Sequence, residues 1–289
     1  SRCHILRWVS TVQRLAAIAR PCLALLCLEI DVLLSVRTHL AYTTERVCDV
    51  LLQIEASTDV GQVVHASELA VVHGAALQDV AGADGTGMRK WLRAGPRLEC
   101  IYDARIEITR PYVELAYLEE TPLHQLPGEA IQYLMPSRYC QSELFLDFTS
   151  RQFEGLSGGA LVQFMSNWIN ANFAYDNGAS HAGTTATDSF ASMSGVCRDY
   201  AHVLIAFVRA VGIPARFVSA YAPDVTPQDF HAVVEVYLAG GWHLVDPTGM
   251  AHPGDIVRIC VGRDAADASF LTSYGFVNLQ EQSVEVKRL

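Results

Sequence analysis

A cysteine, a histidine and an aspartate, the three residue types that together run thiol acyl-transfer chemistry, stand at positions where the local pattern makes each usable: Cys197, His231 and Asp246. Cys197 lies in Ser194-Gly195-Val196-Cys197-Arg198-Asp199-Tyr200-Ala201-His202, just where the apolar helical spacing Val203, Leu204, Phe207, Val208 begins. Gly195 permits a sharp turn, so the thiol is expected on the first turn of a helix. Unpaired N–H groups and the positive end of the helix dipole favour a thiolate there, which is the nucleophilic form of cysteine. A base and a group to orient it are then needed. Asp229-Phe230-His231-Ala232-Val233-Val234-Glu235-Val236 and Gly241-Trp242-His243-Leu244-Val245-Asp246-Pro247-Thr248 each put a polar residue at the edge of an apolar strand pattern. The candidates are therefore Cys197 as nucleophile, His231 as base and Asp246 as its orienter.

Those residues need a helix and a sheet to hold them, and the surrounding pattern supplies both. The helix of Cys197 should end near Gly212-Ile213-Pro214, a stop signal. Ala215–Tyr221 reads as a strand, Pro223–Gln228 as a loop, and 230–238 and 242–246 as two strands joined by a hairpin at Ala239-Gly240-Gly241. His231 and Asp246 thus fall on the two arms of one hairpin, and neighbouring strands about 4.8 Å apart let an imidazole and a carboxylate bond directly. Upstream, an apolar stripe over 159–173 (Leu161, Phe164, Met165, Trp168, Ile169, Phe173) predicts a helix. The polar loop 177–187 follows, and it and 223–228 are expected to wall a cleft; Thr187 or Asp188 is expected to cap a short helix.

The N-terminal half carries no such constellation. Period-two alternation from Val32 to Leu40, a second run over 48–55, and further runs near Val63, Val71, Trp91 and 98–108 predict a small antiparallel β region. Gly82-Ala83-Asp84-Gly85-Thr86-Gly87 is read as a turn between strands, since no Gly-Lys-Ser/Thr follows to make it a phosphate cradle. Pro111, Pro122, Pro127 and Pro136 punctuate a connector. The expected organisation is 1–30 an extension outside the fold, 31–110 a β-rich domain, 111–155 a connector and 156–289 the catalytic domain. In residues 1–30, Arg2, Arg7, Arg14 and Arg20 flank apolar clusters ahead of an eight-residue apolar run, Pro21–Leu28, too short to span a bilayer. The tail adds strand patterns over 255–261, 271–277 and 284–286.

Composition narrows the function classes. At 289 residues, 51% hydrophobic and 18% charged, the chain has material for a sizeable core. A net charge of −10 argues against nucleic acid or an anionic membrane as partner. The 8 cysteines include no Cys-x-x-Cys pair, so reduced thiols in a cytoplasm are expected, with no cofactor.

The chain resembles the transglutaminase-like superfamily, and within it the bacterial transglutaminase-like cysteine proteases with a β-rich N-terminal region. The resemblance rests on Gly195-Val196-Cys197-Arg198-Asp199-Tyr200-Ala201-His202, Gly212-Ile213-Pro214-Ala215-Arg216, Phe230–Val236 and Gly241–Thr248. It implies an α+β fold with a papain-like core, in which the helix bearing Cys197 packs on an antiparallel sheet. It also implies a peptidase or amidase acting on protein or peptide through a thioester acyl-enzyme, with Cys197, His231 and Asp246 as triad. Protein-glutamine acyl transfer and a non-catalytic interaction protein are the alternatives, because one scaffold hosts several activities.

Other polar residues have plainer readings. His202, five residues past Cys197, points away on a helix and is expected in the core; His243 should face opposite to Asp246; His124 should lie on the surface. A zinc site from Cys197, His202 and His231 lacks the usual ligand spacing. Arg198 and Asp199 are expected to pair or to line the cleft, and Trp242 to be core. The oxyanion donor from Cys197 N–H would need a second donor that the sequence does not place.

Overall fold

A computed structural model describes residues 32–72 and 76–289; the expected N-terminal extension lies outside them. Strands β1 (Val32–Thr44), β2 (Cys48–Leu52), β3 (Gln62–Val72), β4 (Gln78–Ala81), β5 (Met88–Ala94) and β6 (Arg97–Ile108) come first. After the single helical turn Gly128–Ile131 come the longer helices α1 (Leu146–Gln152), α2 (Gly158–Asn172), α3 (Ala186–Ser192) and α4 (Cys197–Ala210). The two-residue strands β7 (Ala174–Tyr175) and β8 (Ser194–Gly195) pair in parallel between them. The chain closes with β9 (Ala215–Tyr221), β10 (His231–Leu238), β11 (Gly241–Val245), β12 (Val257–Gly262), β13 (Leu271–Ser273) and β14 (Val277–Arg288).

The fold class is the one expected: α4 lies on an antiparallel sheet of order β11-β10-β9-β12, beside a strand-rich N-terminal region. Residues 199–209 of α4 are all buried, Asp199, His202 and Arg209 included, so the helix is enclosed on every side. Ala232, Val234, Val236 and Leu238 of β10 join its core, whereas Val218, Ala220, Val233 and Leu244 form a second cluster on the other sheet face. The hairpin between β10 and β11 turns at Ala239 (φ 48°) and Gly240 (φ 80°), two left-handed residues that match strand twist. Helix α3 begins at Ala186, capped by Thr185, whose hydroxyl accepts from Asp188 N while Asp188 Oδ2 accepts from Thr185 N. The cap is thus two or three residues earlier than expected, because Asp188 is the far member of a capping box.

Long-range pairing departs from the expected partition of the chain. The two N-terminal sheets have orders β14-β1-β6-β3 and β13-β2-β5-β4, so the C-terminal strands complete sheets begun by residues 32–108. The 111–155 connector buries Tyr133, Cys140, Phe145 and Phe153. Phe145, Phe148 and Phe153 gather around Phe207 of α4 with ring centroids 5.2 to 5.8 Å apart. A β-carbon on Gly159 would come within 1.7 Å of Leu115 O, so the connector passes directly against α2. The 82–87 loop is the expected hairpin between β4 and β5, and Asp84 at its tip bonds Tyr133 (2.5 Å) and Arg216 (3.3 Å).

Candidate active site

Cys197 is the first residue of α4 and half-buried. Its position is set by Asp199, which is fully buried; Asp199 Oδ2 accepts from Val196 N at 2.9 Å, and Oδ1 takes Arg198 Nη2 at 3.2 Å. A β-carbon on Gly195 would meet Asp199 Cβ at 2.6 Å, so the turn into the helix needs glycine for space. The expected Arg198–Asp199 pair is therefore present, and Arg198 also lines the cleft.

His231 opens β10, and Asp246 follows the last residue of β11. Val234 pairs with Val245, so one step further along the ladder Asp246 stands opposite 233 and meets His231 diagonally rather than directly across. His231 Nε2 donates to Asp246 Oδ2 at 2.9 Å, with both side chains almost wholly enclosed. An ionised carboxylate can only accept, which fixes the proton on Nε2. Asp246 also accepts from Ala251 N (2.8 Å), Thr248 N (2.9 Å) and Thr248 Oγ1 (2.7 Å). Burial works to raise its pKa, but His231 and Thr248 hold it below the ordinary carboxylate value.

The other ring nitrogen, Nδ1, is buried with no aligned hydrogen-bond partner. The Cys197 thiol is near enough to act on the imidazole without an aligned bond. Burial works to lower the His231 pKa, but Asp246 and then Cys197 outweigh it and push it up to about 10. Cys197 and His231 share the wall of one cleft of about 260 Å³. All five cysteines among the described residues are unpaired, and burial pushes Cys100, Cys140 and Cys260 up to about 12. An imidazole whose Nδ1 has no other partner, beside a half-exposed sulfur, can take the thiol proton there and return it to a leaving group.

Sequence reasoning missed one neighbour of the sulfur. Tyr175 of β7 pairs with Gly195 and lies 5.9 Å, ring to ring, from Tyr200 of α4. Burial first, and then the Cys197 thiol, raise its pKa well above the usual phenol value, against a hydrogen bond with the Cys197 backbone that works to lower it. The only local signal was a tyrosine before the polar loop. The cleft walls also differ in part from expectation. Ala182 of the 177–187 loop lines the cleft, but none of residues 223–228 does; Gln228 instead bonds the β14 backbone at Val286. Ala265, Ala268, Ser269 and Phe270, between β12 and β13, supply the wall the sequence did not point to.

The remaining candidates are accounted for. His202 is buried between Tyr139 and Phe217, and its Nε2 accepts from Ala265 N at 3.2 Å. His243 Nε2 lies 3.1 Å from Leu238 O, and His124 is exposed. Trp242 is half-buried rather than core, because the Arg216 guanidinium covers its ring at 4.2 Å. No group of three or more metal-ligating side chains occurs among the described residues. A larger cavity of about 420 Å³ is lined by Arg110, Arg216 and Arg258 but has no nucleophile. Two of its guanidinium groups are tied to the fully buried Glu235, at 2.7 Å (Arg216) and 2.8 Å (Arg258). No helix among the described residues is long and apolar enough to cross a membrane.

Comparison with known proteins gives matches to a family model, to solved structures and to one curated sequence. Residues 154–247 match the transglutaminase-like superfamily core, a span that includes Cys197, His231 and Asp246. The structure resembles that of a proposed cysteine protease from Cytophaga hutchinsonii, at TM-score 0.85 and 29% identity over 90% of this chain and 91% of that one. The periplasmic domain of TgpA from Pseudomonas aeruginosa aligns at TM-score 0.39 and 19% identity, covering 75% of this chain and 88% of that domain. An uncharacterized Mycobacterium leprae protein is 27% identical over 113 residues; the match spans 36% of this chain and 40% of the length of that relative.

Proposed function

With a transglutaminase-like superfamily core at residues 154–247, we propose that this protein is a cysteine peptidase or amidase working through a thioester on Cys197. The observation that carries this reading is the buried His231–Asp246 pair, 2.9 Å apart, beside a half-exposed cysteine at a helix start. His231 takes the Cys197 proton and Asp246 holds the resulting imidazolium. The thiolate attacks an amide carbonyl, and a C–S bond forms as the carbonyl becomes an oxyanion. Cys197 N–H is one donor to that oxygen, and the Tyr175 hydroxyl, held against the same residue, supplies the second. As the intermediate collapses, the C–N bond breaks and the amine leaves with the proton from His231. Water, deprotonated by His231, then attacks the thioester, giving a carboxylic acid and restoring the thiol.

The name of the Cytophaga hutchinsonii relative points the same way. An amine in place of water would make the same acyl-enzyme a transamidase. Acylation by p-nitrophenyl acetate tests the proposal. The expected result is a 197-containing peptide that gains an acetyl group and loses it to hydroxylamine, with no adduct there in Cys197→Ala. A wild-type Cys197 that stays unacylated while ester is consumed would refute it. Added amines then report the partition between acid and amide products.

A further inference from the structure

The cleft beside Cys197 is walled by side chains that leave little for a polar group to bind. Ala182, Ala232, Ala265 and Ala268 line it together with Phe217 and Phe270. Phe270 stacks on Phe230, the residue before His231, with centroids 4.5 Å apart and planes at 4°. Polar groups of two wall residues are engaged within the protein. Tyr139 hydroxyl donates to Ala182 O at 2.8 Å, and Ser269 hydroxyl to Leu271 O at 3.0 Å. Arg198 is the lining cation besides His231, and its Nη2 is spent on Ser180 Oγ (2.8 Å), His181 O (2.6 Å) and Asp199.

We infer that this cleft is a specificity pocket for an apolar side chain of aromatic size, adjoining the scissile amide of a peptide. The inference rests on the proposed role of Cys197 and adds the substrate class. A volume of about 260 Å³ is below the range of roughly 300–1,000 Å³ common for whole small ligands, so it suits one side chain with its adjoining backbone. An apolar side chain suits this lining; a carboxylate, ammonium or carboxamide would give up water for a wall made mostly of alanine and phenylalanine, where Tyr139, Ser269 and Arg198 Nη2 are already bonded.

The 263–270 wall is held in place by buried polar groups rather than left to loop mobility. Asp264 is buried; its Oδ2 accepts from Tyr139 N and its Oδ1 from Ala266 N, each at 2.9 Å. His202 accepts from Ala265 N, and burial keeps its pKa well below the ordinary value, so it remains a neutral acceptor. His202 is a positioning residue for the pocket.

The test uses N-acetyl chloromethyl ketones of Phe, Glu and Lys on the intact protein, read as mass gain on the 197-containing peptide. In each reaction the Cys197 Sγ–CH₂ bond forms and chloride leaves, while the thiol proton passes to His231. Each rate is divided by the iodoacetamide rate of the same protein. We expect the Phe reagent to be at least 10-fold faster than the other two, and Ala265→Asp to shift the Phe-to-Lys ratio at least 10-fold toward Lys. Ala182→Asp, on the exposed opposite wall, provides the same shift if the first variant does not fold. Equal normalised rates for the three reagents, or an unchanged ratio in a folded variant, would overturn the pocket assignment alone. A wild-type Cys197 inert to iodoacetamide near neutral pH would instead overturn the nucleophile reading, and the pocket assignment with it.

Discussion

Replacing Asp246 by Asn keeps the side-chain shape and removes the charge that faces His231. The native carboxylate accepts four hydrogen bonds, two on Oδ2 (His231, Ala251) and two on Oδ1 (Thr248 N and Oγ1). Asn can turn its oxygen to His231 and Ala251 and its NH₂ to the Thr248 hydroxyl, but Thr248 N–H then loses its acceptor. That orphan costs about 1–3 kcal/mol, or a few degrees to about 10 °C of melting temperature. A charged hydrogen bond is worth about 1.5–3 kcal/mol against about 0.5–1.5 for a neutral one. The difference of about 1 to 1.5 kcal/mol, at 1.36 kcal/mol per pH unit, lowers the His231 titration by about one pH unit. The assay is the pH titration of the His231 Cε1–H resonance, identified by its loss in His231→Gln. Wild type should titrate near pH 10 and Asp246→Asn about one unit lower. An identical midpoint in both proteins would refute the claim that Asp246 holds the proton on the imidazole.

Three further outcomes follow from the same geometry. Tyr175→Phe should lower the acylation rate by about 10²–10³-fold, measured with p-nitrophenyl acetate, and lower iodoacetamide alkylation of Cys197 far less, because alkylation forms no oxyanion. His231 has a folded pKa raised to about 10, so its contribution to stability is fully present below about pH 6.5 and is lost as pH rises through 10. Chemical denaturation should show wild type losing up to about 5 kcal/mol over that window, with a flatter profile for His231→Gln. Glu235→Gln removes the buried charge shared by Arg216 and Arg258, leaving them Asp84 and Asp59 as carboxylate partners, and should cost about 1–3 kcal/mol in the same measurement.

The candidate site was legible where chemistry and local pattern coincide. Cys197 marks the start of an apolar helical run after Gly195, and His231 and Asp246 bracket a hairpin announced by Gly240-Gly241. What stayed hidden depends on contacts distant in sequence. Nothing local in Val277–Arg288 says that it pairs with Val32–Thr44, because an alternating strand fits any edge of suitable register. Prolines in the connector suggested a linker packed over the next domain, but nothing local says which side chains that packing buries: Phe145 goes against Phe207 of α4 and Tyr133 against Trp242. Tyr175 was silent for a related reason: its partner is Gly195, twenty residues on, in a two-residue parallel pair too short to leave a pattern. Glu235 looked like a strand residue, and its tie to Arg216 and Arg258 appears only when β9, β10 and β12 come side by side.

The central claim is that His231 is the base that acts on the Cys197 thiol. An imidazole beside a thiol speeds its attack by taking the proton as the sulfur reacts. The decisive measurement is the iodoacetamide alkylation rate of the 197-containing peptide at pH 6, in wild type and in folded His231→Gln. A wild-type rate about tenfold or more above that of the variant is predicted; equal rates would contradict the account.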